Sequence, residues 1–242
     1  MSSHPPIQAY GKSIQGAGRK KNEDRFLVAP ITEEYLLIAV SDGMGGHPNG
    51  DKAAEIVINR LQTLDIRQDG KDILLHNTLH MADGVITTEV AANPDSAGMG
   101  ATATTALLSE DMVYWAHIGD SRMYLVRQGR LCQITRDHTF VQGQIDAGHI
   151  SQQEAINHPF AHVLDQCIGC IETGIEHGSF AASPGDSILV CSDGLFRNLA
   201  ERQLLDILAS GQPPAEQVGR LLDFPEGKVP LDDATAIVAS IL

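Results

Sequence analysis

What this chain has little of is positive charge. Seventeen Lys and Arg stand against 31 Asp and Glu in 242 residues, a formal net charge of −14. A nucleic-acid-binding surface needs clustered Lys and Arg, so the balance argues against nucleic acid as a partner. Cysteine is sparse too: Cys132, Cys167, Cys170 and Cys191. Cys167 and Cys170 form one CxxC, but no second pair or nearby His-x-His completes a zinc set, and buried or reduced thiols are expected. No cysteine is read as part of a phosphatase-type Cys-x5-Arg loop, which sets aside a cysteinyl-phosphate route. No uncharged apolar stretch approaches the roughly 18 residues of a membrane span. The N-terminus, MSSHPPIQAYGK, lacks the basic start and apolar run of a signal peptide. A cytoplasmic protein with no membrane partner is expected.

What is present is an ordinary globular composition, 43% hydrophobic and 20% charged, in a chain long enough to bury a substantial core. Without internal repeat, low-complexity tract or composition shift, residues 1–242 read as one domain, with 1–9 a short flexible N-terminus. Strand signals dominate: Phe26–Val28, Tyr35–Val40, Ala101–Leu108, Met112–Ile118, Met123–Val126, Leu131–Ile134, Gly174–Phe180, Ser187–Cys191 and Ala234–Ile241. Arg127–Gln128–Gly129–Arg130 reads as a hairpin turn. Helical periodicity marks Asp51–Leu64 and Lys71–Ala92, and a capping box from Ser151 to Glu154 starts a short helix ending at His158–Pro159. Two more helices fit Glu201–Ala209 and Ala215–Phe224. Neither member of a helix pair can bury its apolar face alone, so each pair should cover one side of a sheet. The expected fold is α+β, a four-layer α-β-β-α sandwich of two packed antiparallel sheets flanked by helix pairs.

Against this background the acidic residues are placed unevenly. Asp42 ends the apolar run in LLIAVSDGMGG, Asp120 lies in IGDSR, Asp193 in ILVCSDGLF, and Asp232 and Asp233 in LDDATAIV. Asn22–Glu23–Asp24 forms a further acidic cluster three residues after Arg19. A carboxylate at the end of an apolar run is charge delivered to the end of a buried strand. Several such ends make physical sense if they converge. Crowded carboxylates repel unless a cation sits among them, and hard oxygen ligands suit Mg²⁺ or Mn²⁺. Bound divalent ions would also reverse the local sign and let an acidic protein accept a phosphorylated substrate.

Taken together and in order, RKKNEDR (19–25), SDGMGGH (41–47), GMGATAT (98–104), IGDSRMY (118–124), ITRDHT (134–139), CSDGLF (191–196) and LDDAT (231–235) resemble the metal-dependent Ser/Thr protein phosphatases of the PPM (type 2C) family in their compact bacterial form. The likeness runs from Arg19 to the last strand. It implies that Asp42 bridges two Mn²⁺ or Mg²⁺ ions, with the Gly43 carbonyl as a further ligand, and that Asp193 and Asp232 complete the first ion's carboxylates. Glu23 and Asp24 match the pair serving the second ion. Asp120, with Asp193, matches the holder of a third, weaker ion. Arg19 matches the phosphate-binding Arg, and His47 the acid that protonates the leaving oxygen. The implied reaction is hydrolysis of phosphoserine and phosphothreonine by attack of a water bridging the two ions.

Two departures stand out. Asp233 occupies a position where the family usually has Asn, so either Asp232 or Asp233 could be the ligand. In HPFAHVLDQCIG (158–169), Ala161, His162, Asp165 and Gln166 stand where the resemblance implies Arg, Asn, Thr and Arg, removing basic groups from the substrate side. His76, His80, His117 and His177 show no ligand spacing. The implied partners are a phosphorylated protein substrate and the pathway of a cognate bacterial Ser/Thr kinase, with a secretion-system link by analogy. The alternative is a catalytically inactive phosphoprotein- or kinase-binding pseudophosphatase.

Overall fold

The computed structural model describes residues 7–44, 49–67, 70–170, 174–224 and 230–242. Two five-stranded antiparallel sheets face each other. One has the order β1–β10–β9–β6–β7, from β1 (Ile7–Ile14), β10 (Ala234–Ile241), β9 (Ser187–Cys191), β6 (Arg122–Arg127) and β7 (Arg130–Gln133). The other has the order β2–β3–β4–β5–β8, from β2 (Asp24–Pro30), β3 (Leu36–Asp42), β4 (Ala103–Leu108), β5 (Met112–Ile118) and β8 (Glu176–Ala181).

Period-two alternation within strands buried on both faces builds the layers. In β3, Ile38 and Val40 enter the cluster between the sheets, where they meet Met123, Ile188, Val190 and Ile237. Leu37 and Ala39 point the other way, under α1 (Gly50–Gln62) and α2 (Lys71–Ala92), against Val57, Leu61, Leu75 and Leu79. In the other sheet Leu189, Ala236 and Val238 pack beneath α6 (Glu201–Leu208) and α7 (Pro214–Leu221), meeting Leu204, Val218 and Leu221. Each fully buried aliphatic contributes about 1.5–3 kcal/mol. The result is the helix–sheet–sheet–helix sandwich expected from the sequence.

A third pair of helices, α3 (Phe140–Asp146) and α4 (Gln152–Ile156), lies between β7 and β8. Ser151 and Glu154 form the reciprocal cap expected at the start of α4. The sequence reading missed α3, which Thr139 caps by accepting the Gln142 amide. A one-turn helix, α5 (Asp193–Phe196), follows β9 directly. The β6–β7 turn is the expected tight hairpin, with Gln128 and Gly129 both at positive φ, 51° and 71°.

Two expectations are corrected. Of the residues 1–9 expected as a flexible N-terminus, 1–6 lie outside the described residues and 7–9 are ordered strand: Ile7, Gln8 and Ala9 pair with Ile241, Ser240 and Ala239 of β10, which would otherwise be an open edge. Cys167 and Cys170 are joined in a disulfide rather than standing as reduced thiols, while Cys132 and Cys191 are free.

Candidate metal and phosphate site

The antiparallel register places the acidic residues at one end of the sandwich. Asp24, the first residue of β2, pairs with Asp42, the last of β3. Two hydrogen bonds tie Asp42 to the entry of β4: the Thr102 amide donates to its carbonyl, and its own amide donates to Thr102 Oγ1. Asp120 follows β5 through Gly119, whose amide donates to His138 Nδ1 and whose carbonyl accepts the His138 amide. In the facing sheet Asp193 follows β9, and Asp232 and Asp233 precede β10. Strand ends of both sheets thus converge on a cleft of about 440 Å³, whose lining includes Arg19, Asp42, Thr102, Asp120, Asp193 and Asp232.

Asp–Gly has a packing reason in two of these turns. A Cβ on Gly43 would stand 2.4 Å from the Gly50 carbonyl carbon, and one on Gly194 would stand 2.0 Å from the Asp233 carbonyl oxygen. Only glycine lets β3 pass the start of α1, and α5 pass the start of β10.

The site is electrostatically loaded. Burial raises the Asp42 carboxyl well above the usual range, and Asp24, Asp193, Asp120 and Asp232 raise it further. Burial likewise pushes Asp24 up to about 7, against the opposing hydrogen bonds from Thr235 and Ser192. Asp120 is pushed up to about 7, by burial first and the charge of Asp193 second. Asp193 is raised by burial, with Arg197 opposing. Glu23 is raised by burial, with Arg19 opposing.

Two guanidinium groups partly neutralise this charge. Arg19 forks onto Asp232, Nε to Oδ1 at 2.6 Å and Nη2 to Oδ2 at 2.5 Å, and reaches Glu23 Oε2 at 3.2 Å. Arg197 donates from Nε to Asp193 Oδ2 at 2.8 Å and from Nη2 to Asp120 Oδ2 at 3.2 Å. With the side chains so paired, no group of three acidic, His or Cys side chains among the described residues is set to hold one ion. The donor set nonetheless fits hard divalent cations. It is all oxygen, and Asp24 Oδ1 and Asp193 Oδ1 are buried with no hydrogen-bond partner. An unpartnered buried carboxylate oxygen is costly unless a cation or donor meets it.

The structure separates the adjacent pair that the sequence left open. Asp233 is 2% exposed and spends both oxygens on backbone amides, accepting Gly16 N–H at 2.9 Å and Glu23 N–H at 2.7 Å. Asp232 lines the cleft. Arg19, Asp42, Asp120, Asp193 and Asp232 are therefore brought together, with Asp24 beneath them and Glu23 held by Arg19. His47 lies outside the described residues.

Cys191 and Arg197 have the Cys-x5-Arg spacing of a cysteinyl-phosphate loop, which the sequence reading overlooked. The structure rules out that use. Cys191 is a fully buried β9 residue packed with Leu195 and Ala236, its thiol pushed up to about 12 by burial, and Arg197 turns to the carboxylates. Arg197 is also the residue near the site that sequence reasoning did not single out. Its only sequence signal was its place four residues after Asp193, an ion-pair spacing on a helical turn. His117 is structural: it is buried, with its pKa pushed down to about 3 by burial and then by His138, and it is bonded to Thr104 and the Arg136 carbonyl.

A family model described as protein phosphatase 2C matches residues 11–223. The chain belongs to the protein phosphatase 2C family. Among curated relatives it is 35% identical over 238 residues to the serine/threonine protein phosphatase PstP of Mycobacterium tuberculosis, covering 98% of this chain and 45% of PstP. It thus spans about half the length of that relative. It is 31% identical to the serine/threonine phosphatase stp of Listeria monocytogenes, covering 87% of this chain and 86% of the relative. A crystal structure of the PstP catalytic domain in complex with two manganese ions superposes with a TM-score of 0.85 at 33% identity, covering 98% of each chain. PppA, described as a key regulatory component of T6SS in Pseudomonas aeruginosa, superposes at 0.82 with 28% identity and 98% coverage of each chain. The protein phosphatase 2C fold expected from the motifs is thus the fold observed.

Proposed function

We propose that the chain is one catalytic domain, a metal-dependent protein serine/threonine phosphatase that hydrolyses phosphoserine and phosphothreonine in proteins. The observation that carries the reading is Asp42, half-buried at the mouth of a cleft among Asp24, Asp120, Asp193 and Asp232 with Arg19 at its rim. Asp42, the Gly43 carbonyl, Asp193 and Asp232 would hold one ion, and Asp42 with Glu23 and Asp24 the other. When bound, Mn²⁺ or Mg²⁺ lowers the pKa of attacking water and offsets phosphoryl charge. Arg19 exchanges Asp232 for two oxygens of the phosphate, a planar fork that Lys cannot provide. His47 donates the proton that the basic Ser or Thr alkoxide needs on leaving. The low-dielectric walls of the cleft strengthen each of these interactions.

An inactive binding module would have no use for so much unfavourable burial of charge. The substrate is a phosphoprotein of a bacterial kinase pathway, and the likeness to PppA supports a secretion-linked one. No helix among the described residues is long and apolar enough to cross a membrane. A cytoplasmic setting is part of the proposal.

The test is hydrolysis of a phosphothreonine peptide with and without added Mn²⁺. Activity should depend on the ion and vanish in excess EDTA. Full activity after verified metal removal, or none with saturating Mn²⁺, would overturn the reading.

A further inference from the structure

The resemblance implies a third, weaker ion between Asp120 and Asp193, but that position is already charged. Arg197 follows Asp193 by four residues, and its amide donates to the Asp193 carbonyl at 3.0 Å, closing the turn of α5. That turn fixes the guanidinium beside Asp193 Oδ2, at 2.8 Å from Nε. Nη2 reaches Asp120 Oδ2 at 3.2 Å and the Ala161 carbonyl at 3.5 Å. The side chain is 28% exposed, and its guanidinium carbon lies 5.8 Å from the centre of the Phe196 ring.

Asp193 divides its oxygens accordingly. Oδ2 faces Arg197, while the buried Oδ1 has no partner and is the atom available to the core ions. A divalent ion could not join Asp120 to Asp193 without displacing the guanidinium, because two cations at such range repel strongly in a partly buried cleft. The contact with Ala161 adds a second argument. Ala161 stands where the resemblance implies Arg, so α5 delivers to this rim a guanidinium that the 158–169 segment lacks.

We propose that Arg197 is the resident cation of this outer position, holding the Asp120 and Asp193 carboxylates in place of a third metal ion, so that the chain works with two ions. The proposal rests on the two-ion reading above. A guanidinium stays charged at every accessible pH and cannot be diluted away. The outer charge is therefore independent of metal supply, and Arg197 acts as a positioning residue for Asp193.

The test counts Mn²⁺ bound to the full chain by equilibrium dialysis with elemental analysis, at free Mn²⁺ up to the millimolar range. Wild type should bind about two ions per chain, and Arg197→Gln, checked for folding by thermal melting, about three, the added one being weak. Arg197→Lys, which keeps the charge, should stay at two. Asp120→Asn in the wild-type background should leave the count at two, which keeps the question decidable if Arg197→Gln does not fold. Three ions on wild type, a loss of one ion in Asp120→Asn, or a folded Arg197→Gln that still binds two would each overturn the proposal. Failure of the underlying two-ion reading would show differently, as fewer than two ions on wild type.

Discussion

Asp232 and Asp233 are neighbours of one chemical type with opposite roles, and the difference lies in what each oxygen meets. Asp233 satisfies the amides of Gly16 and Glu23 from a buried position, while Asp232 faces the cleft and Arg19. Asp233→Ala leaves one buried and one half-buried amide without acceptors, at about 1–3 kcal/mol each, so a loss of about 2–6 kcal/mol is expected in urea unfolding. Asp232→Asn should leave unfolding within about 1 kcal/mol of wild type yet weaken Mn²⁺ binding at least roughly tenfold, the effect of removing an ionised ligand. The reverse pattern would make Asp233 the ligand. Arg19 should show its role in KM: Arg19→Ala is expected to raise KM for phosphopeptides with a smaller effect on kcat, because the fork binds ground-state and transition-state phosphate alike. Unchanged KM and kcat would reduce Arg19 to a partner of Asp232. For His47, a general acid predicts that His47→Ala slows phosphoserine peptides while sparing p-nitrophenyl phosphate, whose leaving group needs little protonation. Equal losses on both would point to a positioning role instead.

At the scale of elements, the one-turn helix α5 matters more than its length suggests. It carries Asp193 into the cleft and Arg197 behind it, and it lies against β10 through Gly194. A methyl group at 194 would meet the Asp233 carbonyl oxygen at 2.0 Å, a backbone atom that no rotamer change can move. Gly194→Ala should therefore cost about 1–3 kcal/mol by overpacking and weaken Mn²⁺ binding through displacement of Asp193. Wild-type stability together with wild-type Mn²⁺ affinity would show that α5 is not held this way. The sequence disclosed the central strands because β3, β4, β9 and β10 are buried on both faces and read as continuous apolar runs. It hid β1, whose IQAYGKSI mixes Gln8, Tyr10, Lys12 and Ser13 into an outer strand held chiefly by its ladder with β10. It hid α3 because that helix buries only Val141 and so carries no long apolar stripe. The convergence of Asp42, Asp193 and Asp232 was legible as strand ends, since antiparallel pairing brings alternate ends together. The pairing of Arg19 and Arg197 with those carboxylates was not, because it depends on distances across the two sheets.

Over the whole molecule, the crowding of buried carboxylates is a cost, and this sets how stability varies with pH. Asp24 and Asp120 are held at about 7 against an ordinary 3.8, and Asp42, Asp193 and Glu23 are raised as well, burial being the first cause in each case. Between about pH 4 and pH 7 the folded chain therefore binds more protons than the unfolded chain. The stability that those protons confer is present at the acid end and lost as pH rises through the folded values. The overall charge of −14 acts in the same direction as the carboxylates ionise. In EDTA, the melting temperature should accordingly fall from pH 5 to pH 7.5. On the proposed function, divalent ions would bind the ionised, folded site and not the unfolded chain, so their stabilisation should grow over the same interval, reaching about 2.7 kcal/mol when free Mn²⁺ is 100-fold above its Kd. Differential scanning calorimetry at both pH values, with EDTA and with Mn²⁺, measures the two trends. A metal-free melting temperature that rises toward pH 7.5 would mean that Arg19 and Arg197 already neutralise the cluster, whereas a fall that Mn²⁺ reverses would identify the crowded carboxylates as the feature that makes this fold metal-dependent.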